Sequence, residues 1–269
     1  MKLFTNKKKL LKEIGKINNI SFVPTMGFLH KGHESIIKKS VKGSGKTLVS
    51  IFVNPKQFNS RKDLKSYPRN TKNDIKILKK LKIDYLYKPS YADIYKFKTK
   101  NKIYLDKFAK ELCGQFRKGH FKGVIDVVNR LLEITNPKRI LLGNKDFQQL
   151  YLIKKHIMKN KIKTQVFPCK TIRDKYFIAY SSRLKKLNHN EITKLIKIIK
   201  VLKKYKKDLI LKKQIYNFSK IKKKIISIGA KNVDYIKLID LKTLKKPKKN
   251  KFNLFYAFYI GNVRLIDNF

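Results

Sequence analysis

His30 and His33 stand three residues apart in Pro24-Thr25-Met26-Gly27-Phe28-Leu29-His30-Lys31-Gly32-His33, a glycine-punctuated turn that follows an apolar run. Two imidazoles at this spacing aim donors at one point, and the N–H groups and positive end of a helix start add to them. Ser21 to Val23 reads as a short buried strand before the turn and Glu34 to Val41 as the helix after it. Strand, turn and helix of this kind suit a nucleotide phosphate. A dinucleotide-binding turn would carry three glycines opening the helix, and a P-loop would carry Lys followed by Ser or Thr. Neither pattern is present. The bland alternative is two surface histidines at a turn, so the other polar segments decide.

Those segments also sit at strand ends. Val49-Ser50-Ile51-Phe52-Val53-Asn54-Pro55-Lys56-Gln57-Phe58 is a strand running into a proline turn that presents Asn54 and Gln57. Leu142-Gly143-Asn144-Lys145-Asp146-Phe147-Gln148-Gln149-Leu150 is a second strand-end loop that opens an apolar helix, and Ala179-Tyr180-Ser181-Ser182-Arg183 is a hydroxyl-plus-guanidinium cluster. A Lys supplies a point charge and an Arg a planar fork for two phosphate oxygens.

The elements that must position them alternate. Strands are expected at Thr47 to Val53, Ile83 to Tyr87, Arg139 to Leu142 and Thr164 to Phe167, and helices at Asn70 to Leu81, Gly123 to Ile134 and Phe147 to Lys159. This is the pattern of an α/β protein, a Rossmann-like, doubly wound, mostly parallel sheet. Ligands of such sheets sit beyond the strands' carboxyl ends, where strand order reverses. After about residue 171 the texture changes. Asn190 to Lys206 and Lys212 to Ile228 read as Lys-rich amphipathic helices, Val233 to Asp240 and Leu254 to Ile260 as strands, and Lys242 to Lys251 as a solvated loop. Two domains are expected, 1–171 and a smaller α+β lid, 172–269. A site shared by two such domains could close and exclude water.

In order and spacing, these segments, with Tyr67-Pro68-Arg69, Arg117-x-Gly-His120-Phe121-x-Gly123-Val124 and Gly261-Asn262-Val263-Arg264-Leu265-Ile266-Asp267-Asn268, resemble the pantothenate synthetases. These are pantoate–β-alanine ligases of the nucleotidyltransferase superfamily, whose signature is His-x-Gly-His. The resemblance covers nearly the whole chain. It implies that pantoate and ATP give pantoyl adenylate and pyrophosphate, and that β-alanine then displaces AMP to give pantothenate. It implies ATP contacts from Met26, Gly27, Phe28, Leu29, His30, Lys31, Gly32 and His33, from Gly143, Asn144, Lys145 and Asp146, and from Ile172, Tyr180, Ser181, Ser182 and Arg183. His33, His30, Lys145 and Arg183 would be catalytic, with His33 a proton donor and Asp146 on a ribose hydroxyl. Gln57 would hold pantoate and β-alanine, and Gln149 pantoate. Mg²⁺ would accompany ATP, with Asp74 its nearest carboxylate. A homodimer is also implied.

Where the family usually reads Asp-Gly-Leu-Ala-Met-Ser-Ser-Arg-Asn, this chain reads Tyr176-Phe177-Ile178-Ala179-Tyr180-Ser181-Ser182-Arg183-Leu184, and Lys170 replaces a usual Pro. Losing a loop glycine removes easy access to positive φ. Lowered activity is expected, and an inactive homologue or another adenylyltransferase are the alternatives. The latter would keep the histidine turn but lack the Gln57 and Gln149 pair.

The formal net charge is +51 on 269 residues. Such a charge ordinarily points to nucleic acid or an anionic surface. Yet only 8 of the 68 basic residues are Arg, Lys is scattered along the whole chain, and Trp is absent, as drift toward A/T-rich codons would produce. No specific nucleic-acid partner is expected. Cys113 and Cys169 lack CxxC spacing and fit a reducing compartment. No apolar run approaches a membrane span, and Met1 to Lys12 is too basic for a signal peptide, so a cytoplasmic protein is expected. Repulsion among the lysines should leave the fold marginally stable, and saturating Mg-ATP should raise the melting temperature, because it binds the folded state alone; an unchanged melting curve would refute this.

Overall fold

Short runs of Val, Ile, Leu and Phe become strands here because helices cover both of their faces. The structure is a computed structural model that describes residues 1–211, 216–248 and 251–269. It divides into two compact units, Met1–Thr171 and Ile172–Phe269.

The first unit runs β1 (Lys2–Phe4), α1 (Lys7–Ile14), β2 (Ile20–Thr25), α2 (Lys31–Lys42), β3 (Lys46–Ile51), α3 (Arg61–Lys65), α4 (Thr71–Lys80), β4 (Tyr85–Tyr87), α5 (Tyr91–Tyr95), α6 (Cys113–Phe116), α7 (His120–Thr135), β5 (Arg139–Gly143), α8 (Phe147–Lys159) and β6 (Gln165–Cys169). Its six strands form one sheet in the order β1-β4-β3-β2-β5-β6. Every pairing in it is parallel. Val23, Val49, Ile51, Leu86 and Leu141 pack with Ile37 of α2 and Leu78 of α4. The residues of opposite parity, Phe22, Leu48, Tyr87 and Ile140, are buried as well. Both faces are therefore covered, as a parallel sheet requires.

Strand order reverses at β2, which has β3 on one side and β5 on the other. β2 pairs with β3 through Thr25, but with β5 only at Ser21 and Phe22. Pro24, which has no N–H to give a ladder, follows the last β5 pair, and the two strands part there. The crevice between the carboxyl ends of β2 and β5 is the place where open α/β sheets hold ligands.

The second unit contains α9 (His189–Ile210), α10 (Phe218–Ile228), β7 (Asn232–Ile239), β8 (Asn253–Ile260) and β9 (Val263–Asn268). The strands form an antiparallel sheet in sequence order. Leu195, Ile198, Ile199 and Leu202 of α9 and Ile221 and Ile225 of α10 pack with Ile236, Leu254, Tyr256 and Phe258 of the sheet.

The strands and helices expected from sequence are present, and the structure adds β1, β9 and the helices α1, α3, α5 and α6. β1 is a three-residue edge strand with no alternation to mark it. β9 carries Arg264, Asp267 and Asn268 buried within it. Arg264 is neutralised by Asp234 at 2.7 Å, which lets polar residues occupy a core strand. α10 begins at Phe218, after Asn217 caps the N–H of Lys220; the part of the expected Lys212 to Ile228 helix at residues 212–215 lies outside the described residues, as do residues 249 and 250 of the Lys242 to Lys251 tract.

α7 starts earlier than its apolar pattern, at His120, because the turn Asn54–Gln57 leans on its first residues. A Cβ on Gly123 would stand 2.2 Å from the Lys56 carbonyl oxygen, nearer than any real contact. Gly123→Ala is therefore expected to cost about 1–3 kcal/mol by overpacking, read as a lowered denaturation midpoint.

Candidate functional site

The histidine turn leaves β2 in a left-handed path. Gly27 has φ 77° and Phe28 φ 53°. A Cβ on Gly27 would lie 3.0 Å from both Asp74 and Ile51, so glycine is needed for space as well as for φ. Thr25 Oγ1 donates to the Ser50 carbonyl at 2.7 Å and accepts the Gly27 N–H. The N–H groups of Phe28 and Leu29 donate to Oδ2 and Oδ1 of Asp74 at 2.8 and 2.7 Å.

Asp74 projects from α4 and is 1% exposed. Both of its oxygens are spent on the turn. Asp74, expected near Mg²⁺, braces the turn here: each of its oxygens accepts one backbone N–H. Among the described residues no group of three His, Cys, Asp or Glu side chains could hold a metal. The residues present do not make a protein-held Mg²⁺ site.

Most N–H groups of the turn are likewise occupied. Gly32 N–H donates to His30 Nδ1 at 3.2 Å and Glu34 N–H to the His30 carbonyl. The sequence reading gave phosphate to these backbone donors. The His30 and His33 imidazoles stand at the same place, at the positive end of α2.

His30 Nδ1 accepts a hydrogen bond, so the neutral ring carries its proton on Nε2. The ring of His33 lies 4.0 Å from that of His30, centroid to centroid. Its Nδ1 is buried with no partner. Burial first, then the Lys145 ammonium, pushes His30 down to about 4. Burial first, then His30 and Lys145, pushes His33 down to about 3. Without ligand both rings are neutral at pH 7. His33 can act as a proton donor only after an incoming polyanion has raised it.

Gln57 ends a single 3₁₀ turn, Pro55–Gln57, just past β3. Its carbonyl accepts His120 Nδ1 at 2.7 Å and Arg117 at 3.3 Å, and Arg117 also meets His120 Nε2 at 3.0 Å. Its side-chain NH₂ faces Met26 Sδ at 2.9 Å. Gln57 and the first residue of the histidine turn are thus in contact. Gln149, on the first turn of α8, is partly exposed, whereas its neighbour Gln148 is buried. Gln148 accepts the N–H of Cys113 and donates to the carbonyls of Phe108 and Glu111, tying down the segment before Arg117. Sequence reasoning passed over Gln148, because adjacent amides differ only in which side of the helix they face.

Gly143, Asn144, Lys145 and Asp146 follow β5, across the crevice from β2. Lys145 Nζ lies 3.3 Å from Asp146 Oδ1. The electrostatic effect of Lys145 on both histidines puts this loop and the histidine turn at one place.

The other expected nucleotide residues belong to the second unit. Ile172 is exposed, and its carbonyl accepts the Tyr180 N–H. Arg173 and Ala179 form a bridge across a tight hairpin. Ser181 caps the turn that carries buried Ser182 and Arg183 by accepting the Arg183 N–H at 3.3 Å. Phe177, where a glycine was expected, keeps the glycine-like φ of 71°. Its ring stacks under the Arg173 guanidinium at 4.4 Å and packs edge-on against Phe269 at 5.3 Å. Packing holds the strained residue, so the hairpin is formed despite the substitution.

Buried His156 is also pushed down, by burial, to about 4. An unfolded histidine titrates near 6.5. Between that value and about 3–4 the unfolded chain binds more protons than the folded one at His30, His33 and His156. Their contribution to stability is full above about pH 6.5 and is lost as the pH falls. The denaturation midpoint should decline below pH 6.5, and less steeply in His156→Gln; a flat profile from pH 7 to 5 would contradict it.

Comparison with known proteins fits this geometry. The family model for pantoate-beta-alanine ligase matches residues 2–269. A pantothenate synthetase from Flavobacterium psychrophilum is 45% identical over 177 residues, 65% of this chain and 63% of that protein. One from Sulfurihydrogenibium sp. is 38% identical over 96% of this chain and 93% of its own. The crystal structure of pantoate-beta-alanine ligase from Francisella tularensis, complexed with Beta-gamma ATP and Beta-alanine, superposes with a TM-score of 0.86 at 38% identity, covering 100% of this chain and 97% of that one. With its six-stranded parallel sheet, its histidine turn at the strand-order reversal and these relatives, the chain belongs to the pantoate–β-alanine ligase family and is a ligase.

Proposed function

We propose that this protein joins pantoate to β-alanine in two steps at the β2–β5 crevice. A pantoate carboxylate oxygen attacks the α-phosphorus of ATP, the bond to the β-phosphate breaks, and pantoyl adenylate and pyrophosphate form. The β-alanine amine then attacks the acyl carbon, a C–N bond forms, the amine loses a proton and AMP departs. The observation that carries this reading is the contact between the histidine turn and Gln57, which sets phosphate donors beside an amide donor suited to the acid. The relative that holds Beta-gamma ATP and Beta-alanine supports it.

Negative charge builds on the α-phosphate and the leaving pyrophosphate in the first step, so fixed donors there accelerate it. His30 offers Nε2–H, Lys145 a point charge and Arg183 a fork. The polyphosphate raises the His33 pKa on arrival and makes that ring a proton donor to the leaving group. Asp146 takes a ribose hydroxyl, and Ile172, Tyr180, Ser181 and Ser182 serve the nucleotide. Gln57 and Gln149 hold pantoate through neutral amides, which orient a carboxylate without quenching it as an ion pair would. Mg²⁺ belongs to the nucleotide substrate, held by phosphate oxygens and water.

No helix of the described residues is long and apolar enough to cross a membrane, and both cysteines are buried. We place the enzyme in the cytoplasm, working as a homodimer. The test is exchange of labelled pyrophosphate into ATP with Mg²⁺ and no β-alanine. Exchange should require pantoate and fall about 10²- to 10³-fold in His33→Ala, the usual loss for one transition-state donor. A folded, ATP-binding protein that shows no pantoate-dependent exchange would overturn the proposal.

A further inference from the structure

Asn54 is 1% exposed and its amide is fully used. Oδ1 accepts the Lys56 N–H at 3.2 Å and the Tyr95 hydroxyl at 2.8 Å. Nδ2 donates to the Gly123 carbonyl at 3.0 Å and to Gln57 Oε1 at 3.3 Å. An N–H can only donate and a carbonyl can only accept, so Lys56 and Gly123 forbid a flipped Asn54 amide. With Asn54 fixed, Gln57 must turn its oxygen toward Asn54 and its NH₂ toward Met26 Sδ. A thioether is a weak acceptor, so a carboxylate or hydroxyl oxygen of a ligand would take its place readily.

Two bonds tie this amide chain to distant elements, the one to the Gly123 carbonyl of α7 and the one from Tyr95, and only the second is made by a side chain that can be replaced. Its rivals on Oδ1 and Gln57 come from the same short turn. Tyr95 ends α5, which is stapled by a reciprocal Ser90–Asp93 cap, and Asp93 also accepts the Lys7 N–H. The Tyr95 ring lies under Lys56 Nζ at 3.9 Å and Arg130 at 4.9 Å. Cations over the ring make the phenol a stronger hydrogen-bond donor, and burial, which raises its pKa, keeps it protonated.

We propose that the Tyr95 hydroxyl is a positioning residue that acts through Asn54 to hold the Gln57 NH₂ toward the acid substrate. This rests on the reading above, in which Gln57 holds pantoate. Tyr95→Phe removes one oxygen and keeps the ring beneath Lys56 and Arg130. It should raise the pantoate KM in the exchange reaction roughly three- to tenfold, the worth of one hydrogen bond, and leave the ATP KM and the melting temperature near wild type. Calorimetric titration of pantoate in the presence of a non-hydrolysable ATP analogue should show the same loss. In a Gln57→Ala background, Tyr95→Phe should add nothing to that loss. An unchanged pantoate KM, an equal rise in both KM values with a lowered melting temperature, or full additivity with Gln57→Ala would each overturn the proposal. Failure of the underlying reading would appear differently, as wild-type protein that binds ATP but shows no pantoate dependence.

Discussion

The site hangs on one buried carboxylate. Asp74 grips two consecutive N–H groups of a turn whose residues Gly27 and Phe28 both have positive φ. A left-handed phenylalanine costs on the order of 1–2 kcal/mol, and such a turn persists only when its surroundings over-determine it. Two short bonds to an ionised acceptor do so. They carry the chain from β2 into α2 at one angle, and that angle brings the imidazole rings of His30 and His33 to 4.0 Å from each other, tilted by 33°. In this Lys-rich chain the carboxylate is held by backbone amides. Amides cannot swing away, which suits a residue whose task is to fix a path.

Around that brace the remaining parts follow from strand order. β5 leaves β2 after two pairs, and the gap admits Gly143 to Asp146 opposite the histidines. β3 ends in the Asn54–Gln57 turn, which is clamped to the start of α7 by His120, Arg117 and the bare backbone of Gly123. Three strand ends therefore present a pair of imidazoles, an ammonium and an amide, the first braced by α4 and the third by α7.

Much of this was readable in the residues. The alternating strands, the strand-end placement of the histidine turn, the Asn54–Gln57 turn and the Asn144–Asp146 loop, and the change of texture after residue 171 came from periodicity, whereas the Tyr180 to Arg183 cluster, expected at a strand end too, lies in the second unit. The roles that escaped were those in which a side chain serves another side chain or a backbone group. Asp74 reads as a helix carboxylate near a phosphate site, and nothing in its own neighbourhood shows that Phe28 and Leu29 reach it from 45 residues or more away. Gln148 looks like its neighbour Gln149, and Tyr95 looks like a helix-end aromatic. Phe177 reads as the loss of a loop glycine, and the contact that helps hold it at positive φ is with Phe269, 92 residues on. Spacing reports local geometry, and these contacts are set by the fold.

The use of acids by this chain has a further consequence. Asp74, Asp84, Asp93, Asp106, Glu133, Asp174, Glu191 and Asp240 all accept backbone N–H groups. Few carboxylates are left to face the lysines, so the neutralising charge must come from dissolved anions gathered in an ionic cloud around the molecule. Mutational tolerance is then lopsided. A lysine away from the site can be exchanged for a neutral residue with little effect or slight relief, whereas each of these acids is a fixed point of the backbone. A lineage under steady pressure toward lysine codons can keep drifting at its surface for a long time, until the change falls on one of its few aspartates.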